Sequence, residues 1–379
     1  MAPEEQETQD IKSFLARVWN SHSAARRTLI VGIGLVIMSA ALTVVVSCYP
    51  AREVEPGLPP VNLGFDRAPT VRARLAQGTD SYTVAAGSTG TWTISNTGRT
   101  LMQGSGPWTV SASPGGVQVG DRTVFDSPVV LESTSDTVEF EGTTYRGKLL
   151  VRPDGADVVV INSLPIADYL TGVVSAEMPT SWPQDALAAQ AVAARTFLLK
   201  RIQGRRGDTW NVKAIELAYK GTSTEAASAR RAVEQTEGVV MTYRNKLFTA
   251  YFHSTCGGAT TPVSKVFGEE DIPPLAGVKC NWCRESSVYA WEATFDASEI
   301  SSALSARGVR NVSSIRAEGR GADGHAQHIV VNGTKRMGAN EFRLAVGARK
   351  FKSTNFTVEK NGVTFHFEGN WASFREDTE

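Results

Sequence analysis

Charge of neither sign predominates in this sequence, whose 379 residues carry 39 lysines and arginines against 39 aspartates and glutamates. No basic run interleaves with aromatics either, so the composition offers no electrostatic footprint for a nucleic-acid partner. Cysteine (four) and histidine (five) are scarce, which confines thiol or metal chemistry to a handful of positions. What is present excludes disorder: 41% hydrophobic and 21% charged residues can bury the core of one large or two modest domains.

The first long feature is an uncharged run, Thr28 to Ser47, preceded by Arg26 and Arg27. At the helical rise twenty residues span about 30 Å, the thickness of a bilayer core. The positive-inside rule then places 1–27 in the cytoplasm as a tail, 28–47 in the membrane and the rest outside. Val45-Val46-Ser47-Cys48 also fits a lipoprotein signal ending at Cys48. Either way the chain is expected on the outer face of the cell membrane. Residues 48–69, rich in proline, read as a linker.

Residues 71–161 lack helical periodicity and show short β-branched runs between Gly, Asp and Asn, a β-rich region. From Pro183 to about Arg201 the pattern turns alanine-rich and helical, with Leu187, Ala191, Ala194 and Leu198 on one stripe. Ser181 with Gln184 three residues on predicts a capping box. A second helix is expected over Thr224 to Glu237, closed by Gly238, and a hairpin around Arg244-Asn245-Lys246. The last hundred residues return to short strands around one helix starting near Ser298, giving a mixed α+β class for 70–371.

Two segments carry chemistry. Asn162-Ser163-Leu164-Pro165-Ile166-Ala167-Asp168-Tyr169-Leu170-Thr171-Gly172-Val173-Val174-Ser175-Ala176-Glu177-Met178-Pro179 runs on to Gln190-Ala191-Val192-Ala193-Ala194-Arg195-Thr196-Phe197. Later comes Tyr251-Phe252-His253-Ser254-Thr255-Cys256-Gly257-Gly258-Ala259-Thr260. Together these resemble the signature of the SpoIID/LytB family. The resemblance implies a lytic transglycosylase acting on the glycan strands of peptidoglycan in wall remodelling or sporulation, or else a non-catalytic enhancer of a cell-wall amidase. It also implies that Glu177 is catalytic, with Gln190 and Arg195 as secondary members of the site.

The chemistry is consistent with a single carboxyl. Glycoside hydrolysis needs two, one to protonate the leaving oxygen and one to attack or to activate water. When the muramoyl C6 hydroxyl is the nucleophile, one glutamate can donate a proton and then accept one. Such a group must start protonated, which the apolar residues around Glu177 favour by desolvation. Arg195 can orient Glu177 or a sugar acetamido group, or serve a structural ion pair.

Cys280 and Cys283 form a C-x-x-C pair, and His253 with Cys256 repeats the spacing as H-x-x-C. Together they offer a Cys₃His set for tetrahedral, structural Zn²⁺. A zinc hydrolase is disfavoured, since four such ligands leave no open position. A disulfide from Cys256 to Cys280 or Cys283 is the rival reading in an oxidising compartment. His325 and His328 are expected beside an exposed strand.

At its end the sequence departs from the family. Phe365-His366-Phe367-Glu368-Gly369-Asn370-Trp371 stands where a glycine-rich stretch of the form Gly-Arg-Gly-Trp-Gly-His-Gly is expected, and 372–379 is polar. The domain therefore reads as cut short. That predicts a strand near Phe367 without a neighbour and uncovered side chains at Phe365 and Phe367.

Overall fold

The computed structural model describes residues 68–370, apart from 79–80, 88–90, 97–98, 105, 115, 125–128, 288 and 322. The expected tail, apolar run, nearly all of the linker and the polar end lie outside the described residues. Among the described residues no helix is long and apolar enough to cross a membrane.

The architecture is α+β. A seven-stranded sheet has in its interior the strand Asp157–Pro165, which pairs antiparallel with Thr70–Gly78 on one side and Lys148–Asp154 on the other. Its sequence explains this place: Val158 to Ile161 is a continuous apolar run, and all four are buried. Thr70–Gly78 alternates instead, burying Val71 and Ala73 while Arg72 and Arg74 stay partly exposed. A six-stranded antiparallel sheet holds Tyr82–Ala86 and Trp108–Ser113 at its middle. Both sheets contribute to one largely aliphatic core.

Three helices complete that core: α1 (Ile166–Glu177), α2 (Gln184–Gly204) and α3 (Ala227–Gln235). The stripe of Leu187, Ala191, Ala194 and Leu198 on α2 is fully buried, as its spacing predicts. The predicted capping box does not form. The cap position is Pro183, whose ring makes no side-chain bond, and the Gln184 amide instead donates to the Ser228 carbonyl at 3.2 Å. The hairpin exists but is short: Thr242–Tyr243 pairs with Lys246–Leu247 across Arg244 and Asn245, both at positive φ (49° and 58°).

A second core lies further along the chain. The short helix α4 (Val263–Phe267) precedes it, and α5 (Ala297–Ala303) and α6 (Ala339–Val346) pack within it. The sequence pattern predicted the first of these last two and missed the second. Two three-stranded sheets accompany them, one of Ala290–Asp296, Thr364–Asn370 and Phe356–Asn361, the other of Ile315–Glu318, His328–Val331 and Lys335–Gly338.

Two expectations are overturned here. The strand Thr364–Asn370 is central, not an unpaired edge: it bonds to Ala290–Asp296 on one side and Phe356–Asn361 on the other. Phe365 and Phe367 are accordingly 1% and 0% exposed. The strand beside His325 and His328 is not exposed either, because Ile329, Val330 and Val331 are buried at the middle of their sheet, and His325 is buried with them. Local pattern could not show either result, since both depend on partners distant in sequence.

Candidate active site

The residues of the first motif mostly serve to fix α1. Asp168 accepts from Arg230 at 3.2 Å, Arg230 also reaches Glu225 at 3.2 Å, and Arg146 grips Glu225 with two nitrogens at 2.8 Å. This network fastens the start of α1 to α3 and to the sheet. Gly172 answers a different demand. The Tyr219 ring lies against the helix there, and a Cβ at this position would stand 3.1 Å from it. Buried Asn162 holds Tyr219 in place by accepting its hydroxyl at 2.9 Å, while the Asn162 amide donates to the carbonyls of Arg146 and Lys148.

So anchored, α1 ends at Glu177, half-buried on the wall of a cleft of about 740 Å³. Met178, Pro179 and Trp182 follow along the rim, with Trp182 52% exposed. Gln190 from α2 lines the same cleft, and its Nε2 is buried with no acceptor among the described residues. The opposite wall is built by 251–286. Tyr251 stacks on Phe267 with ring centroids 4.0 Å apart, and its hydroxyl bonds to Glu269. Burial first, then the Glu269 carboxylate, pushes the Tyr251 phenol well above its ordinary value.

Glu216 also lines the cleft, a second carboxylate that the sequence analysis did not single out. It sits on a 3₁₀ turn, Ala214–Leu217, where it accepts the Lys213 N–H at 3.4 Å. Both carboxylates act on one phenol. The Tyr169 pKa is raised mainly by full burial, then by Tyr219, Glu216 and Glu177. Only tertiary proximity shows this, since Glu216 belongs to no motif and stands 39 positions after Glu177.

Arg195 is placed elsewhere. It is 4% exposed, does not line the cleft, and donates to the Val233 carbonyl (2.9 Å), the Val239 carbonyl (3.1 Å) and the Thr236 hydroxyl (3.2 Å). A guanidinium is thus turned on the C-terminal end of α3 and the segment just after it, where orphan acceptors and the helix dipole both favour a cation.

The sulfur ligands converge. Cys256, Cys280 and Cys283 bring their Sγ atoms within 4.8 Å of one another, Cys256 to Cys283 at 3.5 Å. Backbone pairing of 258–260 with 278–280 holds them, through Cys280 N–H to Gly258 O at 2.9 Å and Thr260 N–H to Val278 O at 2.8 Å. Ligands 2.3 Å from a tetrahedral metal stand about 3.8 Å apart, so this trio fits a thiolate-preferring ion. Burial pushes the Cys256 thiol up to about 12, while the hydrogen bond from Cys256 draws Cys280 down. His253 is not in this group; it lines the cleft, and burial lowers its pKa.

Comparison with known proteins identifies the family. The family model described as Stage II sporulation protein matches residues 154–243, which carry the Glu177 wall and Glu216. An uncharacterised protein of Brachyspira hyodysenteriae is 31% identical over 262 residues, 67% of this chain and 70% of that one. Stage II sporulation protein D of Bacillus subtilis is 30% identical over 223 residues, 54% of this chain and 63% of its own length. The amidase enhancer of Bacillus subtilis is 34% identical over 149 residues, 39% of this chain but 20% of the enhancer. On its motif, its family match and these relatives, the chain belongs to the SpoIID/LytB family of cell-wall proteins.

Proposed function

We propose that the protein cleaves glycan strands of peptidoglycan as a lytic transglycosylase, with Glu177 moving the proton. The observation that carries this reading is the position of Glu177 in a large cleft beside Gln190, whose buried amide N–H lacks an acceptor among the described residues. A buried donor without a partner costs on the order of 1–3 kcal/mol, and a sugar acetamido carbonyl would relieve it. Trp182 and the stacked Tyr251 and Phe267 offer flat apolar faces to sugar rings.

In the reaction the glycosidic C–O bond breaks as Glu177 protonates the leaving oxygen. The C6 hydroxyl of the muramoyl unit closes on C1, and its proton returns to Glu177. Glu216 raises a second possibility, water activated by another carboxylate, which gives reducing ends instead of 1,6-anhydro ends. Mass spectrometry of purified glycan strands after incubation separates the two. Anhydro-muramoyl ends are expected, and Glu177→Gln should lower their release about a hundredfold or more without loss of fold. Undiminished release would sink the assignment.

The match to the amidase enhancer supports the alternative of a binding module that stimulates a wall amidase. That reading predicts amidase stimulation that survives Glu177→Gln. In both, the run 28–47 serves as a retained anchor or as a lipoprotein signal ending at Cys48, with the folded part outside the cell. Protease digestion of intact cells, sparing only the tail, tests this. Zn²⁺ on Cys256, Cys280 and Cys283 would serve as a structural crosslink at the cleft wall.

A further inference from the structure

A second cavity, of about 420 Å³, adjoins the first, since Thr261 and Val266 line both. Charges of both signs meet in it. Lys265, on α4, and Arg343, on α6, supply cations. Asp323 supplies a carboxylate whose Oδ1 accepts the His325 N–H at 3.3 Å and whose Oδ2 is buried with no hydrogen-bond donor among the described residues.

The neighbouring imidazole does not cancel that charge. His325 is 6% exposed and bonded through Nδ1 to the Thr354 hydroxyl at 2.8 Å, and burial lowers its pKa, which favours the neutral ring. Gly321 lets the opposite charges of Lys265 and Asp323 approach each other. A Cβ at Gly321 would lie 2.8 Å from Lys265 Nζ and would collide with Asp323 Oδ1, so both side chains reach toward one point.

A buried carboxylate oxygen without a donor is costly, and a simple cation that satisfied it would meet Lys265 and Arg343. A simple anion attracted by those cations would meet Asp323. A group carrying both charges satisfies all three.

We propose that this cavity binds a zwitterionic α-amino-acid group, its ammonium donating to Asp323 Oδ2 and its carboxylate received by Lys265 and Arg343. Two sources share this chemistry: a free amino acid, and the unlinked end of a diamino acid in a peptidoglycan stem peptide. The second source rests on the glycan-cleavage reading, because a strand in the first cleft would carry its peptide past Thr261 and Val266.

The test titrates the protein with glycine and with meso-diaminopimelate, following the ring signals of His325 and His328 by NMR and the affinity by calorimetry. Both should bind, and N-acetylglycine and glycinamide, each lacking one charge, should bind at least tenfold more weakly. Asp323→Asn and Lys265→Gln should each weaken glycine to a similar degree at unchanged melting temperature. Equal affinity for the blocked analogues, or no ring shift at tens of millimolar glycine, overturns the proposal. Peptide-bearing and peptide-free glycan strands then separate the sources. Tighter binding of the former, lost in Asp323→Asn, identifies the stem peptide, and equal binding identifies the free amino acid. If glycine binds and neither strand does, the glycan-cleavage reading fails and the amino-acid site stands.

Discussion

The two cores of this chain are built from different materials. The first packs Val, Leu, Ile and Ala between two broad sheets and three helices. The second relies on Trp291, Phe295, Phe342, Phe351, Phe356, Phe365 and Phe367, with Phe351 in ring contact with Trp291, Phe295, Phe342, Phe356 and Phe367 at 4.9–6.3 Å. Sheets of six and seven strands have area enough to bury aliphatic side chains in layers. Sheets of three strands do not, and aromatic side chains burying about 150–250 Å² each supply the deficit. The catalytic candidates hang on the aliphatic core, whereas the mixed-charge cavity is walled mainly by polar residues of 323–354, in the region of the aromatic core.

This contrast can be broken at its centre. Phe351→Ala should cost about 3–5 kcal/mol, because the ring is fully buried and touches five others. If the cores are independent, hydrogen exchange should accelerate in the strands of 290–370 while amides of α1 and α2 stay protected. A uniform loss of protection would show a single cooperative unit. Arg195→Met probes the other core, and leaving the Val233 and Val239 carbonyls without their donor should lower stability by about 2–3 kcal/mol. Strand cleavage per folded molecule should be little changed. A hundredfold fall at an unchanged melting temperature would instead give Arg195 a part in the chemistry.

The three-cysteine site lies between these regions in sequence and sharpens the comparison further. The protein purified without chelator should carry about one zinc per chain, and chelation should lower the melting temperature by several degrees. Protection should be lost chiefly in 251–286. No metal by elemental analysis, with two thiols oxidised, would establish the disulfide instead.

Much of the first region could be read from the residues alone. The α2 stripe, the β-rich run before it and the cleft positions of Glu177 and Gln190 follow from periodicity and motif, because those signals are local. Glu216 was invisible because a 3₁₀ turn has no pattern to mark it. The spacing of His253 matched a ligand set, but spacing does not specify which way a side chain faces. Phe365 and Phe367 looked uncovered only because their partners, Phe295 and Ala293 on one side and Lys360 and Val358 on the other, are settled by pairing across the chain.

The central placement of Thr364–Asn370 also bears on how the molecule comes to be made. Its neighbour Ala290–Asp296 leaves the ribosome about 70 residues earlier, which at 5–20 residues per second means roughly 4–14 s without a pairing partner. Through that interval Trp291, Phe295, Phe342, Phe351 and Phe356 have no finished core to enter, whereas strands, helices and cleft wall up to Tyr243 can already be assembled. Slowing translation between 296 and 364 should therefore increase capture by chaperones, and the same delay before 243 should not.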